Sequence, residues 1–308
     1  MRELGVASAG PIPILPKPMQ TETAQPPAAI EPTAAPETIR LQPTSGFSRV
    51  LSPHELWRYR ELALQIAVRD VTVRYRQTAL GAAWAVLQPV GFMIVFTLFF
   101  GHLAGVASDG LPYALFSLSG LVPWTYFSTV LLLSAESLVS NSALVSKVYF
   151  PRIFVPAGVV AAGLVDLGIS LVILMVVVFA SGFVPSAAIL FLPLLVAMTM
   201  LTALGVGAAL AAVNVRYRDV RYVIPFAIQM WLFATPVAYP SSLIGEPWRT
   251  VSALNPMVGV VEGFRWATLG TGDAPLALIG VSALSACVLF VAGLAYFDRV
   301  ERGFADLV

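Results

Sequence analysis

The 308 residues are 58% hydrophobic and only 11% charged, with a net charge of +1 and a mean hydropathy of +0.83. Soluble domains carry about a quarter charged residues, so this composition excludes an ordinary soluble globule and fits a chain that crosses a membrane several times. The single cysteine, Cys287, excludes an intrachain disulfide and a cysteine metal cluster; inside its apolar run it reads as a small core residue.

Residues 1–46 are rich in Pro, Ala and Thr and hold no apolar run long enough for a signal-peptide core. They read as a disordered, partly polyproline tail and not as a cleaved leader, with a docking peptide as the alternative. A charge-dense stretch follows. At about 100° per residue, Arg58, Glu61, Gln65, Arg69, Thr72 and Arg76 fall on one stripe of a helix whose remaining circumference is mostly apolar. Arg60 and Asp70 interrupt the apolar side. A basic stripe, a broad apolar face and Trp57 and Tyr59 near the start suit a helix lying in the membrane–water interface.

From 80 to 103 the only ionisable side chain is His102, and the run exceeds the roughly 20 residues a bilayer core requires. Further spans are expected over 111–133, 157–180, 187–213, 222–243 and 276–297, which gives six, the fifth broken by Pro225 and Pro236. Between the last two lie the semi-apolar pieces 247–254 and 257–269, separated by Asn255-Pro256 and each too short to cross about 30 Å of hydrocarbon. They carry Trp248, Arg249, Glu262, Phe264, Arg265 and Trp266, and read as short re-entrant or interfacial helices at one mouth of a pathway. Two ordinary surface helices in a loop are the alternative. The expected fold class is thus an all-α integral membrane protein: tail 1–46, amphipathic interfacial helix region 47–79, and a six-span domain 80–308.

With six spans, both termini share a side with the loops at 136–156 and 214–221. From Arg49 onward that side holds thirteen basic residues, whereas the opposite side has only Arg249 and Arg265, so both termini are expected in the cytoplasm. His54 and His102 then lie on opposite sides of the first span and share neither a metal nor a dyad.

The chain has two lysines, Lys17 and Lys147, and neither ends a GxxxxGK[ST] phosphate loop. If ATP drives transport here, the ATPase is another polypeptide. No His/Cys/Asp cluster suits a metal, and no span carries two acids at helical spacing for a proton relay. Asp166 is the one carboxylate well inside a span. It either marks a pathway or holds helices together by hydrogen bonding, and no intramembrane base accompanies it in the sequence. Phe99, Phe100, Tyr113, Phe116, Trp231, Phe233 and Tyr239 are rings on the outward half. Rings along a pathway can hold sugar faces while letting them slide; the alternative is an interfacial aromatic belt.

Four stretches, in order, carry a family resemblance: LWRYRELALQIAVRDVTVRYRQTALGAAWAVLQP at 56–89, LVSKVYFPRIFVPA at 144–157, NVRYRDVRYVIPFAIQMWLFATPVAYP at 214–240 and LNPMVGVVEGFRWATLG at 254–270. The chain resembles the ABC-2 type permeases that export O-antigen, capsule and teichoic-acid polymers. That resemblance implies a homodimer in the plasma (inner) membrane, paired with two copies of a separate nucleotide-binding subunit that binds ATP and Mg2+, with no cofactor or nucleic acid bound by this chain. It implies a lipid-linked polysaccharide as cargo. Lys147, Val148, Tyr149, Phe150, Pro151 and Arg152 would form the element seated on the ATPase, with Tyr149 and Phe150 as its anchors. Arg58, Arg69, Arg74 and Arg76 would lie at the cytoplasmic entrance, and the short helices of 247–269 would form the external gate. An ABC-2 permease for a drug or small lipid, or a membrane-embedded transferase acting on lipid-linked sugar, are the rival functions. The Pro-rich tail departs from the family pattern and inherits nothing from it.

Overall fold

The computed structural model describes residues 57, 59–76, 83–147, 150–217, 219–270 and 272–301. The tail, Arg58, Val148, Tyr149 and the Lys147 side chain lie outside the described residues, as does His54. Every regular element among the described residues is helical. In chain order they are α1 (Arg60–Arg76), α2 (Ala83–Phe96) running into a π-turn (Thr97–Leu103), α3 (Tyr113–Ser140), α4 (Ser142–Lys147) and α5 (Phe154–Ala180). A 3-10 turn (Ala187–Phe191) leads into α6 (Leu192–Arg216), followed by α7 (Val220–Phe233), α8 (Trp248–Ser252), α9 (Pro256–Leu269) and α10 (Leu276–Glu301).

Among the described residues five helical segments are long and apolar enough to cross a membrane: Ala83–Leu103, Tyr113–Ser140, Phe154–Ala180, Ala187–Arg216 and Leu276–Glu301. The span expected over 222–243 is not one continuous helix. α7 stops at Phe233 after 14 residues, ahead of Pro236, and the chain turns through 234–240. At about 1.5 Å per residue α7 covers roughly 21 Å, less than a hydrocarbon core.

α3 is the axis of the bundle. Of its span window 78% is buried, against 11% for the first span, and α2, α5, α6 and α9 pack around it. Small residues set how closely the helices approach. A Cβ on Gly293 of α10 would lie 2.0 Å from the carbonyl oxygen of Gly205 on α6, so the two backbones touch there. α9 begins where the Asn255 side chain accepts from the Met257 N–H, has Pro256 in its first turn, and ends at Gly270 with φ 66°. Almost all of it is buried, because Gly259 and Gly263 let it settle against α10 and α6. Cys287, expected in the core, is exposed on the outer face of α10.

Candidate functional site

At one end of the bundle α1 meets α5. The rings of Tyr59 and Phe154 lie 6.1 Å apart, Ile66 fills a notch at Gly158, and the Arg74 guanidinium pairs with Asp166. These contacts advance together over about 22 Å of α1 and 18 Å of α5 at ~1.5 Å per residue. α1 therefore lies along α5 and does not merely cross it at one point. The polar stripe does face outward, since Glu61, Gln65, Arg69, Thr72 and Arg76 are all exposed. Leu64, Val68 and Val73 are exposed as well, because the apolar face is wider than the strip that α5 covers.

The basic residues expected at the entrance are not one free patch. Arg69 donates to Asp70 and, at 2.8 Å, to the Asn141 side chain beyond α3. Arg74 is committed to Asp166, while Arg76 is exposed. Asp166, which had no base in view in the sequence, thus accepts from Arg74 and also from the Tyr75 hydroxyl. Burial, reinforced by the Asp166 carboxylate, pushes the Tyr75 phenol up to about 12, so it remains a neutral donor. Sequence reasoning missed Tyr75. Its position between two arginines on a basic helix was the available signal.

The stretch after α4 is anchored to its own subunit. Phe150 is buried among Ile66, Val145, Phe154, Ala211 and Leu294. Arg152 donates from its guanidinium to the Glu301 carbonyl at 3.2 Å and from its backbone N–H to the Glu301 carboxylate at 3.3 Å. The expectation that Phe150 anchors in a partner's cleft is corrected, because its ring is already spent inside this chain. Tyr149 is outside the described residues.

At the opposite end Arg265 of α9 is buried, 5% exposed. Its guanidinium donates to the carbonyls of Val237 (2.7 Å) and Phe116 (3.3 Å) and to Glu262 (3.1 Å), and stacks 3.6 Å from the Phe116 ring centroid. Burial pulls its pKa down and the Glu262 carboxylate pushes it back up. Glu262 also accepts from the Ser241 N–H, and Arg249 donates to the Ser241 hydroxyl. Trp231 donates to Asn255, whose amide reaches Thr235. Asn255 and Ser241, which the sequence reading passed over, are the junctions of this network. Of the rings proposed for a channel, Tyr113 and Phe116 are buried in the core. Phe100, Trp231 and Tyr239 are half-buried, and Phe99 and Phe233 are exposed. Of the gate residues, Trp248 is exposed, Phe264 is buried and Trp266 packs on Phe191. Among the described residues no group of three or more His, Cys, Asp or Glu is placed to hold a metal.

The ABC-2 type transporter family model matches residues 61–269, from α1 to the end of α9. The chain belongs to that family. It is 32% identical to the O-antigen export system permease protein RfbA of Myxococcus xanthus, over 82% of this chain and 98% of that protein. It is 26% identical to a Klebsiella pneumoniae protein of the same name, over 80% of this chain and 95% of that protein. With the polysialic acid transport protein KpsM of Escherichia coli it shares 22% identity, over 76% of this chain and 92% of that one. The ABC-2 assignment makes the helical bundle the membrane subunit of a transporter.

Proposed function

We propose that this chain is the permease subunit of an ABC exporter that moves a lipid-linked polysaccharide of the O-antigen, capsule or teichoic-acid kind out across the inner membrane. The observation that carries the proposal is the 32% identity running along 98% of an O-antigen export permease. The absence of a nucleotide-binding loop from the sequence supports a separate ATPase that supplies the Mg2+-ATP chemistry. The assembly is then two copies of this chain with two of the ATPase. Removing this chain from its cell is expected to leave polymer inside and none at the surface. Surface polymer at normal levels would sink the proposal.

The topology has six crossings, the fifth made by α7 together with the turn at 234–240, with both termini cytoplasmic. The thirteen basic residues on that side support this, and of the two opposite, Arg265 is buried against Glu262. In a Cys287→Ser background, a cysteine at Asp273 should react with an impermeant maleimide on intact spheroplasts, and one at Asp219 only after permeabilisation. Labelling of the Asp219 position from outside would reverse the orientation.

The 147–152 stretch is the proposed contact with the ATPase, with Tyr149 as its anchor. Tyr149→Ala should insert normally, because no span changes, yet weaken association by about 2 kcal/mol or more, as loss of an interface anchor does. Pull-down of the ATPase reads this directly; unchanged recovery would move the coupling role to the 216–221 stretch. The network around Arg265 frames the proposed external gate, in which Trp248 is exposed and Phe264 is buried.

A further inference from the structure

We propose that the cavity between α2, α3 and α5 is a binding site for the neutral, hydroxyl-rich sugar headgroup of a membrane lipid. The cavity has a volume of about 210 Å³, smaller than the ~300–1,000 Å³ of drug-sized ligand sites and suited to a single ring. Its lining includes Gln88 of α2 and Thr125 and Thr129 of α3, which stand one turn apart. Among the described residues none of these three side chains has a hydrogen-bond partner.

Four helical threonines elsewhere in the bundle are satisfied, whereas the buried Thr97 hydroxyl has no partner among the described residues. Thr72, Thr199, Thr202 and Thr268 each donate to the carbonyl four residues back, at 2.7 to 2.8 Å. The two in the cavity wall make no such bond and, unlike Thr97, line a cavity, so their hydroxyls are open to a ligand. Thr and Gln each both donate and accept, which is what a sugar hydroxyl requires. Trp84, 57% exposed at the mouth, supplies a flat apolar face against which a ring can lie. The hydroxyls of Ser170 and Tyr126 in the same wall are already donated to the carbonyls of Ala85 and Val160, and so shape the site without serving it.

Charge selects the headgroup. The cation in the lining is Arg74, and Asp166 neutralises it at the cavity corner. A phosphate would have to displace a carboxylate that also holds Tyr75, whereas a neutral sugar leaves that pairing intact. The mouth lies beside the exposed first span, so a lipid can present its head while its chain stays outside the bundle.

The test uses the full chain in phosphatidylethanolamine–phosphatidylglycerol vesicles and a dodecyl glucoside bearing a photoreactive diazirine. Labelling, mapped by mass spectrometry, is expected in the segments around Trp84–Gln88 and Thr125–Thr129. Excess unlabelled dodecyl glucoside should suppress it, and dodecyl phosphate at the same concentration should not. Thr125→Val with Thr129→Val keeps the side-chain shape and should lower labelling about tenfold, as losing two neutral hydrogen bonds would. If that pair of changes prevents assembly, Gln88→Leu on the more exposed wall serves instead, with a severalfold drop expected. Equal suppression by dodecyl phosphate, or labelling that the substitutions leave unchanged, overturns the proposal.

Discussion

Arg265→Met is expected to be among the most damaging single substitutions in this chain, lowering stability by about 3–5 kcal/mol, the usual cost of breaking a buried ion pair by removing one partner. The guanidinium closes three hydrogen bonds at once, to Glu262 and to the carbonyls of Val237 and Phe116, with its plane against the Phe116 ring. Methionine fills much of the volume and supplies no donor. The Glu262 carboxylate then keeps the Ser241 N–H and loses its counter-charge in a site where its own side chain is 14% exposed. Arg265→Lys should fall between, since a single ammonium cannot span three acceptors in different directions. Adding Glu262→Gln to Arg265→Met should recover part of the loss by removing the stranded charge. Thermal unfolding followed by size-exclusion chromatography in detergent reads all four proteins. A melting temperature for Arg265→Met equal to that of the parent would mean that the packing of α9, and not this ion pair, holds the turn at 234–240.

The spans are legible in sequence because lipid tolerates few charges, and the charge-free runs near 80–103, 111–133, 157–180, 187–213 and 276–297 stand out against charged connections. What those runs cannot report is which side of a helix meets lipid and which meets protein. Both environments are apolar, so Cys287 could be expected in the core and yet lie on the outer face of α10. The same limit hid Phe150. Amid charged and aromatic neighbours it resembled a partner-seeking anchor, but the ring is buried in the cluster that also holds Phe154 and Leu294. For α1 the periodicity correctly names the polar stripe and says nothing of what the apolar side touches. Its direction along α5 is decided by Gly158, which makes room for Ile66, and by Asp166, ninety-two positions from Arg74 in sequence. The short α7 is half legible: the break expected at Pro236 is there, since the helix ends at Phe233, but it runs through Pro225 without stopping.

The α1–α5 pairing yields an asymmetric expectation. Asp166→Ala should loosen α1 more than Arg74→Leu does, although each removes one member of the same pair. Both side chains are about one-quarter exposed, so the loss from Asp166→Ala should fall toward the lower end of about 3–5 kcal/mol. The reason for the asymmetry is chemical. Removing the carboxylate takes an acceptor from both Arg74 and Tyr75 at once, whereas removing the guanidinium leaves Asp166 accepting from the Tyr75 hydroxyl. Asp166→Asn should lie between, because the amide still accepts from Tyr75 and leaves Arg74 charged. Exchanging the charges, with Asp166→Arg and Arg74→Asp together, should restore part of the contact, short of the parent because Tyr75 no longer has an acceptor in the same place. Tryptic cleavage after exposed Arg76, in vesicles presenting that face, reads how far α1 comes away from α5. Ile66 in the Gly158 notch and Tyr59 against Phe154 still hold the first part of the helix, so loosening should begin at its C-terminal end. If Arg74→Leu is cleaved as fast as Asp166→Ala, or the exchanged pair no more slowly than either single change, then the apolar contacts alone seat α1 and the ion pair contributes nothing to its position.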